Sequence, residues 1–403
     1  MRTRRLQKAG STAVNYQDKI NPVVRDMKPS GIRKYFDVAS TMADVVSLGV
    51  GEPDFVTPWG VRNAAVRSLQ RGYTQYTSNR GLPALCHEIA GYLDCRFGLK
   101  YDEKDIIVTV GASEGIDLAL RTLVRPGDDV LIPDPCYVSY APCVQLAGGR
   151  PVPVPCSIEN EFKLTPEAIR AAVTDRSRVI IFPFPNNPTG AVMTKDELEA
   201  VAPAVIENDL MIISDEIYGE LTYGARHCAT GTVKGLYERT VTISGFSKAF
   251  AMTGWRLGFV AAPQELTAGM LKIHQYTLLC APTMSQYAGL AALESGRQEN
   301  YATVADMREK YDLRRRYLVS EFRSMGLDTF EPKGAFYVFP SVASTGMNGD
   351  EFAEKLLYGE KVAVVPGSAF GPRGENFIRC SYATAMKSLE LAVARIRRFI
   401  GAS

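Results

Sequence analysis

Short runs of apolar, largely β-branched residues recur between about residues 50 and 290, and segments with helical spacing of apolar positions separate them. The runs are IIVTV at 106–110, VLIP at 130–133, VIIF at 179–182, LMIIS at 210–214 and TVTIS at 240–244. Each is too short for a stable helix and is bounded by turn residues such as Arg125-Pro126-Gly127-Asp128, so each predicts a buried strand. Strands that alternate with helices predict a mostly parallel sheet covered by helices, an α/β architecture. Thr194 and Glu197 form a capping-box pattern ahead of Leu198, Val201 and Val205, which predicts a helix start there. From about residue 298 the pattern changes. Val304, Met307, Tyr311, Leu318, Phe322 and Met325 fall at helical spacing and lead into AFYVF at 335–339 and VAVV at 362–365, which predicts a separate, smaller α+β unit. Arg314, Arg315 and Arg316 on that helix read as a solvated face.

Composition narrows the function. With 403 residues the chain is long enough for two domains, and 46 Lys and Arg against 44 Asp and Glu leave a net charge of +2. No whole-molecule field draws such a chain to nucleic acid or anionic lipid, so a small-molecule substrate is expected. The eight cysteines lack Cys-x-x-Cys spacing and read as reduced thiols, and the three histidines are far apart, so no metal site is expected. The basic start MRTRRLQKAG is followed by no apolar run, and no stretch of about 18 apolar residues occurs, so a cytoplasmic protein is expected.

In an open α/β sheet, ligands settle beyond the carboxyl ends of the strands, so the residues after each run are the candidates. After TVTIS comes SGFSKAFAMTGWRLG at 244–258, which sets Lys248 and Arg256 eight positions apart. Burial and neighbouring positive charge lower a lysine pKa far enough for imine formation, the first requirement of pyridoxal phosphate chemistry. Arg256 suits the phosphate as a bidentate donor that stays charged. Gly111-Ala112-Ser113 opens a helix whose free N–H groups offer a phosphate cradle. Tyr137, after VLIP, presents either a ring for stacking or a core tyrosine, with equal weight on each. Asn187, in PNNPTG at 185–190, can donate to a ring oxygen or simply shape a turn. Asp215, with Tyr218 three positions on, pairs with a pyridine nitrogen or caps a helix.

Taken in order, these motifs resemble the class I aminotransferases of pyridoxal phosphate fold type I, in the aromatic and aspartate branch. The resemblance rests on Ser30-Gly31-Ile32-Arg33-Lys34, Gly51 to Phe55, Asn187 to Gly190, Ser214 to Tyr218, Ser247 to Phe259 and Val364 to Gly371. It implies a large domain with a mostly parallel seven-stranded sheet over 49–290 and a small α+β domain over 291–403. Residues 1–48 are then an N-terminal arm and part of the small domain. It further implies that Lys248 forms the imine, Asp215 pairs with the pyridine nitrogen, Asn187 and Tyr218 bind the ring oxygen and Tyr137 stacks on the ring. Ala112, Ser113, Ser247 and Arg256 would hold the phosphate, with Tyr76 reaching across from a second subunit of a homodimer. Arg379 would grip the substrate α-carboxylate beside Gly51, with Ile32 facing the side chain. One position departs from the family pattern. A serine frequent three positions before the lysine is Gly245 here.

The resemblance implies a ping-pong transfer of an amino group from an L-amino acid to a 2-oxo acid, 2-oxoglutarate by expectation. The segment His274 to Met284, where a neighbouring-subunit arginine for a distal carboxylate is expected, holds no Arg or Lys. This favours aromatic amino acids, with aspartate or alanine as alternatives. A fold-type-I carbon–sulfur lyase would share most cofactor residues. A non-catalytic sensor domain would need a preceding DNA-binding module, for which the likeness beginning near Ile20 leaves no room.

Overall fold

The computed structural model describes residues 14–29 and 42–401, so Ile32 and the rest of the Ser30–Lys34 motif lie outside the described residues. Among the described residues the first strand, β1 (Val46–Ser47), precedes β2 (Ile106–Thr109), β3 (Asp129–Asp134), β4 (Arg150–Pro155) and β5 (Ser177–Phe182). Then follow β6 (Met211–Asp215), β7 (Thr240–Gly245) and β8 (Gly258–Ala261). Strands β2 to β8 make one seven-stranded sheet in the order β2-β8-β7-β6-β5-β3-β4. Strands β7, β6, β5, β3 and β4 pair in parallel, while β8 runs antiparallel to both β7 and β2. The direction of β2 is therefore that of the parallel strands, and the chain leaves all of them at one edge.

The five predicted runs are all strands of this sheet, and the alternation within them sorts side chains to its two sides. Val130, Ile132, Val179, Ile181, Ile213, Val241 and Ile243 join one buried cluster, while Leu131, Ile180, Phe182 and Ile212 join another. Both faces are thus covered by helices, as a parallel sheet requires. Strand β4 was not among the predicted runs because it reads RPVPVP. A proline cannot donate to a ladder, and β4 tolerates three because it lies at the sheet edge with β3 as its one neighbour.

The smaller unit contains β9 (Tyr337–Val338), β10 (Val362–Ala363), β11 (Val365–Pro366) and β12 (Ile378–Ser381). The run VAVV, expected as one strand, serves two sheets: β10 pairs with β1, and β11 pairs with β12, which also pairs with β9. The long helix spans Ala302–Ser324 and starts later than residue 298, because Asn300 and Tyr301 adopt left-handed backbone at φ 50° and 55° after the preceding helix, Thr283–Gln298. The expected solvated face at 314–316 is corrected. Arg315 shares the helix face of Tyr311, Leu318 and Phe322 and is only 6% exposed. Its guanidinium donates to Asp312 at 2.8 Å, Glu331 at 2.9 Å and the Pro332 carbonyl at 3.1 Å. Arg314 pairs with Asp54 at 2.9 Å, and Arg316 remains exposed against Asp312. No helix among the described residues is long and apolar enough to cross a membrane.

Candidate active site

Five strand ends converge at the edge where β2, β3, β5, β6 and β7 finish. Between β7 and β8 the chain makes a hairpin loop, residues 246–257, that closes at the register pair Gly245 and Gly258. Lys248 sits in this loop, half-buried, and its Nζ donates to the Gly51 carbonyl at 2.6 Å. The ammonium lies 5.7 Å from the Tyr218 ring centroid and 5.6 Å from that of Phe336. Desolvation pulls the Lys248 pKa down to about 8; Arg379 and Arg256 add to this fall, against Glu52 and Asp215. An amine titrating there is partly neutral at physiological pH, which imine formation requires.

Asp215, the last residue of β6, is buried. The Tyr140 hydroxyl donates to its Oδ2 at 2.7 Å and the Ile217 N–H to Oδ1 at 3.2 Å. Burial pushes its pKa up, against these two donors. A buried carboxylate in this state gains from a cationic partner such as a protonated pyridine nitrogen. The helix-capping alternative does not apply, since turns and not a helix follow Asp215. Tyr137 meets the Tyr140 ring edge-on at 5.5 Å and 82°, so it braces the tyrosine that holds the carboxylate.

Arg379 lies in β12 and is 3% exposed. Its Nη1 donates to Asn187 Oδ1 at 2.9 Å and its Nη2 to the Gly49 carbonyl at 2.6 Å. The Tyr337 and Phe370 rings flank it, 4.4 and 4.9 Å from the guanidinium carbon, while its Nε is buried without a partner. Tyr218 and Tyr337 share a hydrogen bond between hydroxyls at 2.9 Å, and burial holds the Tyr218 phenol well above its ordinary pKa. A Cβ at Gly51 would come within 2.9 Å of the Tyr337 hydroxyl, so glycine there lets the backbone approach Lys248.

The third corner is the start of the helix Gly111–Leu123. Gly111, at φ 74°, packs so closely that a Cβ would lie 2.6 Å from Arg256 Nη2, and a Cβ at Gly258 would lie 2.6 Å from the Ala112 nitrogen. Arg256 itself is exposed and has no carboxylate partner among the described residues, and Ser113 is exposed beside it. This helix start without a side-chain cap, beside a guanidinium bonded to the Thr253 carbonyl at 3.1 Å and to no carboxylate among the described residues, fits a phosphate. Ser247 is buried in the same loop. A side chain at 245 has no room, because its Cβ would meet Gly258 Cα at 2.8 Å and the Leu257 carbonyl at 3.0 Å. Tyr76 is 80% exposed and stands apart from these groups in its own chain.

Sequence reasoning missed three contributors. Tyr140 and Tyr337 each follow or lie within apolar runs, and only the fold sets their hydroxyls on Asp215 and Tyr218. The third is the Glu114–His274 pair. Glu114 accepts from the Val110 N–H at 2.5 Å and bonds His274 Nδ1 at 2.5 Å, which fixes the turn into the helix Gly111–Leu123.

A sheet whose strand ends gather a low-pKa lysine and a buried aspartate, with a buried arginine brought by β12 of the smaller unit, defines a lysine-centred α/β enzyme. A family model described as aminotransferase class I and II matches residues 43–396. The chain is 46% identical over 376 residues to an aspartate aminotransferase of Pyrococcus abyssi, covering 93% of this chain and 96% of that one. It is 44% identical over 376 residues to aromatic-amino-acid aminotransferase 2 of Thermococcus litoralis, with 93% and 96% covered. A solved structure of Thermus thermophilus aspartate aminotransferase with maleate superposes with a TM-score of 0.89 at 37% identity, covering 94% of this chain and 99% of that one. The chain belongs to the class I and II aminotransferases, and its fold is fold type I with the expected mostly parallel seven-stranded sheet.

Proposed function

We propose that this aminotransferase uses pyridoxal phosphate, moves the amino group of an L-amino acid to 2-oxoglutarate by a ping-pong route, and prefers aromatic donors. The observation that carries the cofactor reading is the Lys248 amine, lowered to about pH 8 and set among Asp215, Tyr218 and Arg379. When bound, the cofactor supplies an electron sink for the pair left as the Cα proton departs. Lys248 Nζ would hold the cofactor and, once freed by the substrate amine, would be the base that takes up the substrate Cα proton. Asp215 keeps the ring nitrogen protonated, and Asn187 and Tyr218 bind the ring oxygen. Tyr137 packs at the ring. Ala112, Ser113, Ser247 and Arg256 hold the phosphate, and Arg379 orients the α-carboxylate beside Gly51. Ile32 is kept as a side-chain contact on the resemblance alone.

The aromatic preference draws support from the absence of Arg and Lys between His274 and Met284 and from the rings of Phe336, Tyr337 and Phe370 around Lys248 and Arg379. A homodimer with shared sites draws support from the exposure of Tyr76 together with Val56, Trp59 and Tyr276, all more than 60% exposed. We also keep the division into residues 1–48, 49–290 and 291–403. Eight free cysteines favour a reducing, cytoplasmic setting. The test is a panel of amino acids mixed singly with the cofactor-loaded enzyme and followed by absorbance. Phenylalanine and tyrosine should convert the cofactor fastest, and aspartate far outpacing both would overturn the preference.

A further inference from the structure

Away from this site, three segments line a half-open cavity of about 530 Å³ that the transamination reading does not use. Arg96 and Phe97 come from the end of the helix Pro83–Phe97, Arg226 from the loop that continues from Tyr218, and Tyr301 and Arg308 from the start of the helix Ala302–Ser324. The lining holds three arginines, Arg96, Arg226 and Arg308, and one carboxylate, Glu220, which is already spent. Arg96 donates to both of its oxygens at 2.8 and 2.7 Å, and the Tyr92 hydroxyl donates at 3.0 Å. Arg226 and Arg308 have no carboxylate partner among the described residues. His227 turns its Nε2 to Glu216 at 2.8 Å.

The aromatic surface is also committed. The Arg96 guanidinium stands 4.9 Å over the Tyr301 ring, and Phe97 meets His227 edge-on at 5.7 Å. The cavity therefore offers positive charge, and its rings already pack against Arg96 and His227. Uncommitted guanidiniums arriving from two separate segments suit an anion with oxygens in several directions, which favours phosphate over a planar carboxylate.

We propose that this cavity binds a compact phosphate-type polyanion through Arg226 and Arg308. Such an anion ties the segment after Tyr218 to the first turns of the long helix. Arg226 and Arg308 take no part in the proposed catalytic site, so variants there leave transamination intact.

The experiment uses the cofactor-loaded enzyme, in which the proposed phosphate site of the cofactor is filled. Inorganic pyrophosphate and succinate are titrated separately by calorimetry at constant ionic strength, against wild type, the double variant Arg226→Ala/Arg308→Ala and the control Arg316→Ala. Pyrophosphate should bind wild type saturably with one site per chain, more tightly than succinate, and raise its Tm. Each charge-assisted bond is worth roughly tenfold in affinity, so the double variant should lose tenfold or more, with the control unchanged. Absence of saturable binding, or equal binding by the double variant, overturns the site. Succinate binding more tightly than pyrophosphate overturns the phosphate class.

Discussion

Lys248 owes its depressed pKa to burial more than to any single neighbour, since desolvation is the leading cause. Below about pH 8 its ammonium form dominates and cannot attack an aldehyde; above it the neutral amine takes over, where an ordinary lysine would need a pH near 10.5. The rate at which cofactor-free protein captures pyridoxal phosphate should therefore rise with a midpoint near 8, measured by rapid-mixing absorbance at varied pH. A midpoint near 10 would remove the lowered pKa from the account. Tyr140→Phe deletes the hydroxyl that donates to Asp215 and leaves a buried carboxylate short of a donor, a loss of about 1–3 kcal/mol. Cofactor affinity should fall about tenfold in an absorbance titration of the cofactor-free protein, and an unchanged affinity would detach Tyr140 from the site. Asp215, Asn187 and Lys248 were legible in the sequence because each follows an apolar run at a strand end. Tyr140 and His274 were not, since a tyrosine or histidine among apolar residues reads as core until the partner across the sheet is known.

Elements were legible where one physical rule set them and obscure where two rules competed. The runs at 179–182 and 240–244 are buried on both faces, and their pattern alone predicted strands. Strand β4 carries three prolines that argue against a ladder, and only its edge position resolves the conflict. The arginine triplet at 314–316 failed differently. Charge implied solvent, while helical spacing put Arg315 under the core face beside Tyr311 and Leu318. The Asp312 and Glu331 carboxylates that hold Arg315 stay partly exposed, so losing Arg315 costs its buried hydrogen bonds, about 1–3 kcal/mol, while an exposed pair contributes at most about 1 kcal/mol. Arg315→Ala should thus lower unfolding stability by about 1–3 kcal/mol and Arg316→Ala by less than about 1 kcal/mol, compared by urea unfolding. Equal small losses would return Arg315 to the surface.

At the scale of the whole molecule, the site draws on segments far apart in sequence, and Tyr76 supplies none of its contacts within one chain. If Tyr76 serves the partner's site, mixing Lys248→Ala with Tyr76→Ala chains yields hybrid dimers with one intact site and one doubly defective site. Those hybrids should recover wild-type cofactor affinity at half the sites, read by absorbance titration, whereas recovery no better than Tyr76→Ala alone would place each site within one chain. The hairpin between β7 and β8 carries a further consequence, for the kinds of change this scaffold accepts. Its loop is pinned at both ends by the backbone contact of two glycines, and it holds Lys248 near one end and Arg256 near the other. Substitutions inside it alter chemistry locally. Adding or deleting a single residue between them slides one anchor past the other, so a library of insertions should spare the exposed turn at Gly224 and reject this loop at every position.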